Sequence, residues 1–183
     1  MRFFDFIFSI LGLLFLSPII LIVSVIIKAT SKGPVIFSHC RIGKGCKVFN
    51  CLKFRSMVDG ADKVGGYMTK VNDQRITSVG AYLRKYSLDE IPQLINVLLG
   101  QMALVGPRPD TPKQMELYSE VERNKRHSIR PGITGLAQVR ARHVATNRSR
   151  LKYDLFYLEK KSICFDFWIL LQTVKNLIIE KSY

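Results

Sequence analysis

Two adjacent acidic residues, Asp89 and Glu90, are the strongest candidates for chemistry in this sequence. A carboxylate can act as a nucleophile, as a general base or as a ligand for a divalent cation. The same pair also fits a purely structural role, because Ser87 followed three residues later by Glu90 is the capping-box pattern of a helix start. Acidic side chains in a first helical turn also interact favourably with the helix dipole. From these residues alone, both interpretations stay open.

Basic residues in constrained turns recur on both sides of this pair. Pro107-Arg108-Pro109 and Arg130-Pro131-Gly132 each place an arginine next to residues that restrict the backbone. Arginine matches the geometry of phosphate oxygens, and a carboxylate among such cations, with a divalent cation to relieve repulsion, could attack a phosphorus atom. The sequence therefore predicts a phosphate-handling site with five candidate contacts: Lys53, Arg55, Arg84, Arg108 and Arg130.

A long apolar segment must position the start of the chain. Phe6 to Ile27 is a run of 22 residues without a charge, which as a helix would measure roughly 33 Å and match the apolar thickness of a bilayer. Ser17-Pro18 lies in the middle of the run, and basic residues flank both ends. Two paths are equally compatible with this composition. One is a kinked span, and the other is a re-entrant helix that is broken at Ser17-Pro18 and keeps both ends in the cytoplasm.

The composition changes sharply after Lys28, which predicts a membrane segment over residues 1–30 and a second domain over residues 31–183. Residues 35–37 and 47–49 are predicted to pair as a hairpin. Helices are predicted over 78–85, from Ser87 to Gly100, and over 116–125. Residues 163–178 have the spacing of an amphipathic helix that suits a core or a membrane interface.

The charge balance calls for an anionic partner. The chain has 183 residues with 28 Lys and Arg against 14 Asp and Glu, and residues 121–150 hold eight basic residues and one acidic one. Nucleic acid, an anionic membrane and a phosphate-bearing ligand would each fit this charge. A nucleic-acid binder should show a recognisable reading motif, which is absent here. A non-catalytic lipid-binding scaffold would explain the apolar segments but would give Asp89 and Glu90 no role beyond capping.

Four cysteines raise the question of a metal site. Three of them lie within a dozen residues beside His39, but none forms the paired C-x-x-C spacing that zinc sites usually show. Reduced thiols in a protein that faces the cytosol fit this pattern better.

The order of the motifs resembles that of the monotopic phosphoglycosyl transferases, the bacterial sugar transferases that start glycan assembly on a polyprenyl phosphate carrier. Apart from the Ser17-Pro18 helix, the resemblance rests on seven blocks: Arg41-x-Gly43, Lys53-Phe54-Arg55-Ser56-Met57, Asp73-x-Arg75-Ile76-Thr77, Ser87-Leu88-Asp89-Glu90-Ile91-Pro92-Gln93-Leu94-x-Asn96-Val97, Val105-Gly106-Pro107-Arg108-Pro109, Arg130-Pro131-Gly132-Ile133-Thr134-Gly135 and Tyr153-Asp154-x-x-Tyr157. The chain departs from the family pattern at Gln101 and Ala103, where Asp and Ser are usual.

The resemblance implies a small, mainly helical α+β domain at the cytoplasmic face of the bacterial inner membrane. It also implies that the apolar helix is re-entrant and broken at Ser17-Pro18, that both termini are cytoplasmic, and that a short hairpin and amphipathic interfacial helices complete the fold.

The resemblance also implies a reaction. Asp89 would attack the sugar-bearing phosphate of a UDP-sugar and release UMP, and polyprenyl (undecaprenyl) phosphate would then take the phosphosugar. Magnesium would bind through Asp89, with Glu90 orienting the nucleophile or the metal. The five basic residues named above would hold the phosphates. Sugar specificity is expected in residues 59–74 or 138–150, where the family motifs are thinnest.

Overall fold

A computed structural model describes residues 2–61, 73–141 and 146–179 of the protein. The fold is mainly helical with two small sheets, which confirms the predicted α+β class. In chain order the elements are α1 (Arg2–Thr30), β1 (Ile36–Ile42), β2 (Val48–Phe54), α2 (Ser78–Lys85), α3 (Gln93–Leu98), β3 (Ala103–Val105), α4 (Pro112–Met115), α5 (Glu120–Arg126), β4 (Gly132–Thr134), α6 (Leu136–Ala141), α7 (Asn147–Lys160) and α8 (Ile163–Ile179). Short 3-10 turns cover Lys44–Cys46 and Leu88–Glu90.

The first helix runs through the predicted break. Pro18 lies inside α1, which is helical from Arg2 to Thr30. Proline has no N–H, so the carbonyl of Leu14 loses its usual partner four residues on, and the Ser17 hydroxyl donates to that carbonyl instead at 2.7 Å. Such replacement by a serine is a known way to keep a proline-containing helix satisfied in lipid. The helix is long and apolar enough to cross a membrane, and the re-entrant path stays a prediction.

The rest of the described fold holds α1 near both of its ends. Close to its start, the Asp5 carboxylate accepts a hydrogen bond from the Leu104 backbone amide at 3.1 Å. Close to its end, Ile27 is buried in an apolar cluster with Phe54 and Leu83. Strands β2 and β3 and helix α2 therefore contact the same helix at points about 22 residues apart, or roughly 33 Å along its axis.

The predicted hairpin is confirmed, with longer strands than expected. Strands β1 and β2 pair antiparallel, with Phe37 opposite Lys53 and His39 opposite Cys51. Because side chains alternate between the faces of a strand, Phe37, His39 and Arg41 share one face of β1. That face also carries Lys53, so the pairing register brings an aromatic residue next to a basic one.

Helix α2 has the predicted bounds, and a close backbone approach fixes its position. Thr77 caps the helix by accepting from the Gly80 amide, and the Thr77 amide itself donates to the Ser56 carbonyl at 3.1 Å. A Cβ atom at Gly80 would lie 1.9 Å from the Ser56 carbonyl oxygen. Only glycine therefore lets α2 pack this closely on the residues that follow β2, and this packing sets the position of Arg84 at the other end of α2.

Replacing Gly80 by alanine is expected to destabilise the protein by about 1–3 kcal/mol, because the added methyl meets backbone that cannot move aside. A loss of stability would be informative, since Gly→Ala in a helix interior normally stabilises a protein by about 1 kcal/mol. Thermal unfolding of the detergent-solubilised protein measures the change. Gly12→Ala is the matched control, since its Cβ would meet only the tip of the flexible Leu94 side chain at 3.3 Å. A Gly80→Ala variant as stable as the control would contradict the close approach.

Several predicted elements need correction. The helix expected over 116–125 begins later, at Glu120 of α5, because Ser119 forms its capping box, and the short helix α4, capped by Thr111, was not predicted. Helix α7 and the parallel pair of β3 with β4 were not predicted. The amphipathic helix near the end is confirmed as α8, with Ile169 buried. Seven of its large apolar side chains are exposed: Ile163, Phe167, Leu171, Val174, Leu177, Ile178 and Ile179.

Candidate active site

Asp89 and Glu90 line a cavity of about 940 Å³, within the range of roughly 300–1,000 Å³ that is usual for ligand sites. Residues of β1, β2, β4, the 3-10 turn Leu88–Glu90 and helices α2, α3, α4, α6, α7 and α8 line it, together with residues of the loops between them. In the described part of the chain, three acidic residues (Asp59, Asp89, Glu90) and eight basic residues line it: Arg41, Lys53, Arg55, Arg75, Arg84, Arg108, Lys113 and Arg150. The cavity is therefore strongly cationic, with two of its three carboxylates adjacent in sequence.

The predicted capping box at Ser87 is wrong. Ser87 has a left-handed backbone (φ 55°), makes no capping hydrogen bond, and leads into the 3-10 turn Leu88–Glu90. A left-handed residue other than glycine costs roughly 1–2 kcal/mol. The regular helix α3 begins only at Gln93, after Pro92. Glu90 is consequently not used as a cap, and both carboxylates reach the cavity.

Glu90 joins two of the predicted phosphate contacts. Its Oε1 accepts from Lys53 Nζ at 2.5 Å and from Arg108 Nη2 at 2.8 Å. Burial alone would raise the pKa of Glu90, but Arg108 and Lys53 outweigh it and hold that pKa well below its usual range. Glu90 in turn raises the pKa of Arg108. This side chain is therefore a fixed anion that positions two cations.

Asp89 is held much less tightly than its neighbour. It is 7% exposed, and among the described residues its nearest cation is Lys53, with Nζ 3.9 Å from Oδ2. No described group donates a hydrogen bond to its carboxylate. Burial raises the pKa of Asp89, Glu90 raises it further, and the charges of Lys53, Arg84 and Arg108 oppose the rise. A buried carboxylate that accepts no hydrogen bond from the described residues and lies close to cations is suited to nucleophilic attack or to metal binding.

The structure brings most of the predicted phosphate contacts together, but not all. Lys53, Arg84 and Arg108 surround the carboxylate pair, and Arg84 Nε donates to the Ser56 hydroxyl at 2.8 Å. Arg55 also lines the cavity, although its Nη2 donates to the Ser31 carbonyl and hydroxyl at 2.9 and 2.8 Å. It therefore ties β2 to the end of α1. Arg130 is half-buried and is not one of the residues that line the cavity.

A buried ion cluster, which no sequence pattern marks, supports the backbone of Arg108. Arg126 is 1% exposed and pairs with Asp110 and with Asp154, whose Oδ2 lies 2.9 Å from Nη2. The same guanidinium donates to the Arg108 carbonyl at 2.9 Å. Burial raises the pKa of Asp154 to about 6 against the pull of Arg126. The cluster therefore fixes the backbone of the Pro107-Arg108-Pro109 turn.

The described side chains fit a magnesium ion that is shared with the substrate phosphates, not one that is held by the protein alone. No group of three His, Cys, Asp or Glu side chains that could hold a metal ion exists within residues 2–61, 73–141 and 146–179. A protein cage for zinc around the described cysteines is thus absent, and Cys40 and Cys164 are exposed thiols. Magnesium is commonly bound by one or two carboxylates together with substrate phosphates. The exposed edge of the Asp89 carboxylate fits that arrangement.

Comparison with known proteins decides the family. The sequence model for bacterial sugar transferases matches residues 1–180. The exopolysaccharide production protein PSS of Rhizobium leguminosarum bv. phaseoli is 45% identical over 184 residues, which cover 94% of this chain and 92% of that protein. The chain belongs to the bacterial sugar transferase family. The family assignment made from the motifs is thereby confirmed.

Other bacterial sugar transferases similar to this chain are named for different sugars. The UDP-glucose:undecaprenyl-phosphate glucose-1-phosphate transferase of Klebsiella pneumoniae is 43% identical over 187 residues, or 97% of this chain but only 40% of that protein. The UDP-N-acetylgalactosamine-undecaprenyl-phosphate N-acetylgalactosaminephosphotransferase of Aeromonas hydrophila is 35% identical over 182 residues, or 95% and 42%. The chain thus spans about two fifths of each of these two enzymes.

The segments expected to select the sugar lie partly outside the described residues. Residues 62–72 of the 59–74 stretch and residues 142–145 of the 138–150 stretch are not described. Of the remainder, Asp59, Gly60, Ala61, Gln138, Val139 and Arg150 line the cavity. The assignment of specificity to these stretches stays a prediction.

Proposed function

We propose that this sugar transferase moves a phosphosugar from a UDP-sugar to a polyprenyl phosphate such as undecaprenyl phosphate, through a covalent bond to Asp89. This would be the first membrane step of bacterial glycoconjugate assembly. The observation that carries the proposal is the Asp89 carboxylate, buried without a hydrogen bond from the described residues and beside Lys53, Arg84 and Arg108. The named activities of the Klebsiella and Aeromonas relatives support it.

The proposed reaction consists of two substitutions at one phosphorus atom. An Asp89 oxygen bonds to the sugar-bearing phosphorus, the bond from that phosphorus to the bridging oxygen breaks, and UMP leaves with the bridging oxygen. A polyprenyl phosphate oxygen then attacks the same phosphorus, and the bond to Asp89 breaks. The products are the polyprenyl diphosphate sugar and a regenerated carboxylate. Division into two steps lets a soluble and a lipid substrate use the cavity in turn.

The surrounding side chains have distinct roles in this scheme. Lys53 and Arg108, fixed by Glu90, face the charge that develops on the phosphate oxygens, and such preorganised charges stabilise a transition state most effectively in a water-poor site. Arg84 approaches from α2, where Ser56 orients it. Magnesium, when bound at Asp89 and the substrate phosphates, would neutralise phosphate charge. Arg55 and Arg130 stay predicted phosphate contacts, without a role in this scheme.

The proposed reaction is tested most simply with a panel of UDP-sugars. Purified protein in detergent, magnesium and undecaprenyl phosphate should release UMP from at least one UDP-sugar, and EDTA should stop the release. A non-catalytic lipid-binding scaffold would give no UMP with any sugar. The same panel identifies the sugar, which the relatives leave open.

We further propose that the domain lies at the cytoplasmic face of the bacterial cell membrane with both termini inside. The contacts of α1 support the re-entrant path, since Asp5 accepts a hydrogen bond from Leu104 while Ile27 packs on Phe54. A straight span that carried the start of α1 across the bilayer would separate Asp5 from its partner. The exposed apolar side chains of α8 offer a second surface for the bilayer.

Labelling at position 2 tests this topology. A cysteine that replaces Arg2 should react with a membrane-impermeant maleimide only after lysis, because the re-entrant path keeps the start of α1 in the cytoplasm. The matched variant adds Pro18→Leu, which restores the missing N–H and is expected to favour a spanning helix that is labelled in intact cells. Labelling of the Pro18-containing protein in intact cells would exclude the re-entrant path.

A further inference from the structure

One aromatic side chain in the cavity has no role in the scheme above. Phe37 lines the cavity and is 37% exposed, although most of the charged residues around the cavity are basic. The His39 ring lies beside it on the same face of β1, with ring centroids 6.0 Å apart and ring planes within 29°. The two side chains form a strip along this face of the strand, with Phe37 at one end. An exposed apolar ring among cations matches a ligand that is anionic and also carries a flat ring.

The strip begins next to the phosphate-handling cluster. Phe37 is the direct cross-strand partner of Lys53, and Lys53 Nζ in turn contacts Glu90 and lies 3.9 Å from Asp89. At its other end, Arg41 Nη1 donates to the Pro109 carbonyl at 3.3 Å, which joins the strip to the turn that carries Arg108. Successive residues on one face of a strand are about 6.6 Å apart, which agrees with the 6.0 Å between the centroids of the Phe37 and His39 rings.

We propose that Phe37, with His39 beside it, is the surface on which the uracil base of the UDP-sugar stacks while the diphosphate lies at Lys53 and Arg108. This inference rests on the proposed function and adds to it a position for the nucleotide base. Aromatic side chains next to basic residues are a recurrent way to hold a nucleotide, because the ring binds the flat face of the base and the cations bind the phosphates. A polyprenyl chain fits the strip less well, since His39 and Arg41 interrupt its apolar surface.

Binding of UMP to the full-length protein in detergent tests this position without any reaction. Phe37→Ala should weaken UMP binding by about 10-fold or more, because stacking of one base contributes on that scale. Ribose 5-phosphate lacks the base, so its weaker binding should be the same in the variant and the unaltered protein. Phe37→Trp should restore UMP affinity, since it presents a larger aromatic face.

A second exposed apolar residue of the same hairpin supplies the control. Val48 is 63% exposed and does not line the cavity, so Val48→Ala should leave UMP binding unchanged. A Phe37→Ala variant that binds UMP within twofold of the unaltered protein would overturn the assignment. So would an equal loss for UMP and ribose 5-phosphate, or a defect confined to the step that uses undecaprenyl phosphate. Failure of the unaltered protein to bind UMP or any UDP-sugar would instead contradict the proposed function itself.

Discussion

Asp89→Asn is expected to lower the rate of UMP release by at least about 10³-fold, because the amide cannot form the bond to phosphorus that begins the reaction. The substitution keeps the size of the side chain and removes a buried charge. Burial raises the pKa of Asp89, which means that the folded protein disfavours the charged carboxylate. Removal of this charge should therefore not weaken the fold. The measurement is initial UMP release from the UDP-sugar that the panel identifies, together with thermal unfolding of both proteins.

The control for this substitution is Glu120→Gln, which makes the same carboxylate-to-amide change at an exposed residue that does not line the cavity. This variant should stay within a few-fold of the unaltered enzyme. Asp89→Asn protein that is folded and retains more than a tenth of the original rate would show that the carboxylate is not the nucleophile. Equal losses in both variants would indicate a general effect of the lost charge on the protein instead.

Arg126→Met is expected to destabilise the protein by about 3–5 kcal/mol, because it leaves the buried carboxylates of Asp110 and Asp154 without their cation. Methionine fills much of the arginine volume, so a cavity contributes little. The neighbouring Lys125 is a matched control, since its pair with Glu159 is exposed on the surface. Lys125→Met should cost no more than about 1 kcal/mol. Thermal or denaturant unfolding in detergent measures both changes.

The pH dependence of this loss of stability shows whether it comes from lost charge pairing or from lost packing. The folded-state pKa of Asp154 is already raised to about 6 beside Arg126, and removal of the cation should raise it further. A carboxyl with a raised folded-state pKa favours the folded state at low pH and loses that contribution as pH rises. The free energy of unfolding that Arg126→Met loses, relative to the unaltered protein, should therefore be smaller at pH 5 than at pH 8. A deficit that is the same at both values would point to packing alone.

Elements that depend on neighbouring residues could be predicted from the sequence. Helix α2 has the predicted bounds because its cap at Thr77 and its apolar spacing are local signals. The hairpin and the amphipathic helix α8 follow from alternation and from helical spacing in the same way. The predicted site residues Asp89, Glu90, Lys53 and Arg108 also lie together on the wall of one cavity, as the order of the motifs led us to expect.

The predictions that failed depend on distant partners. Ser87 and Glu90 have the pattern of a capping box, but Lys53 and Arg108 bind the Glu90 carboxylate more strongly than a backbone amide would. Asp110 and Asp154 lie 16 and 28 residues from Arg126, so no local pattern marks their cluster. Gln101, where the family usually has Asp, accepts a hydrogen bond from Asn96 Nδ2 at 2.6 Å, a contact that only the folded turn creates.

The proposed reaction depends on the covalent bond to Asp89, which intact-protein mass spectrometry tests most directly. The purified enzyme is incubated with its UDP-sugar and magnesium in the absence of polyprenyl phosphate, and peptide mapping then locates any adduct. The proposed mechanism predicts a gain of one sugar phosphate on Asp89, one equivalent of released UMP, and loss of the adduct when undecaprenyl phosphate is added. An active enzyme that gains no mass, and releases UMP only when undecaprenyl phosphate is present, would contradict it.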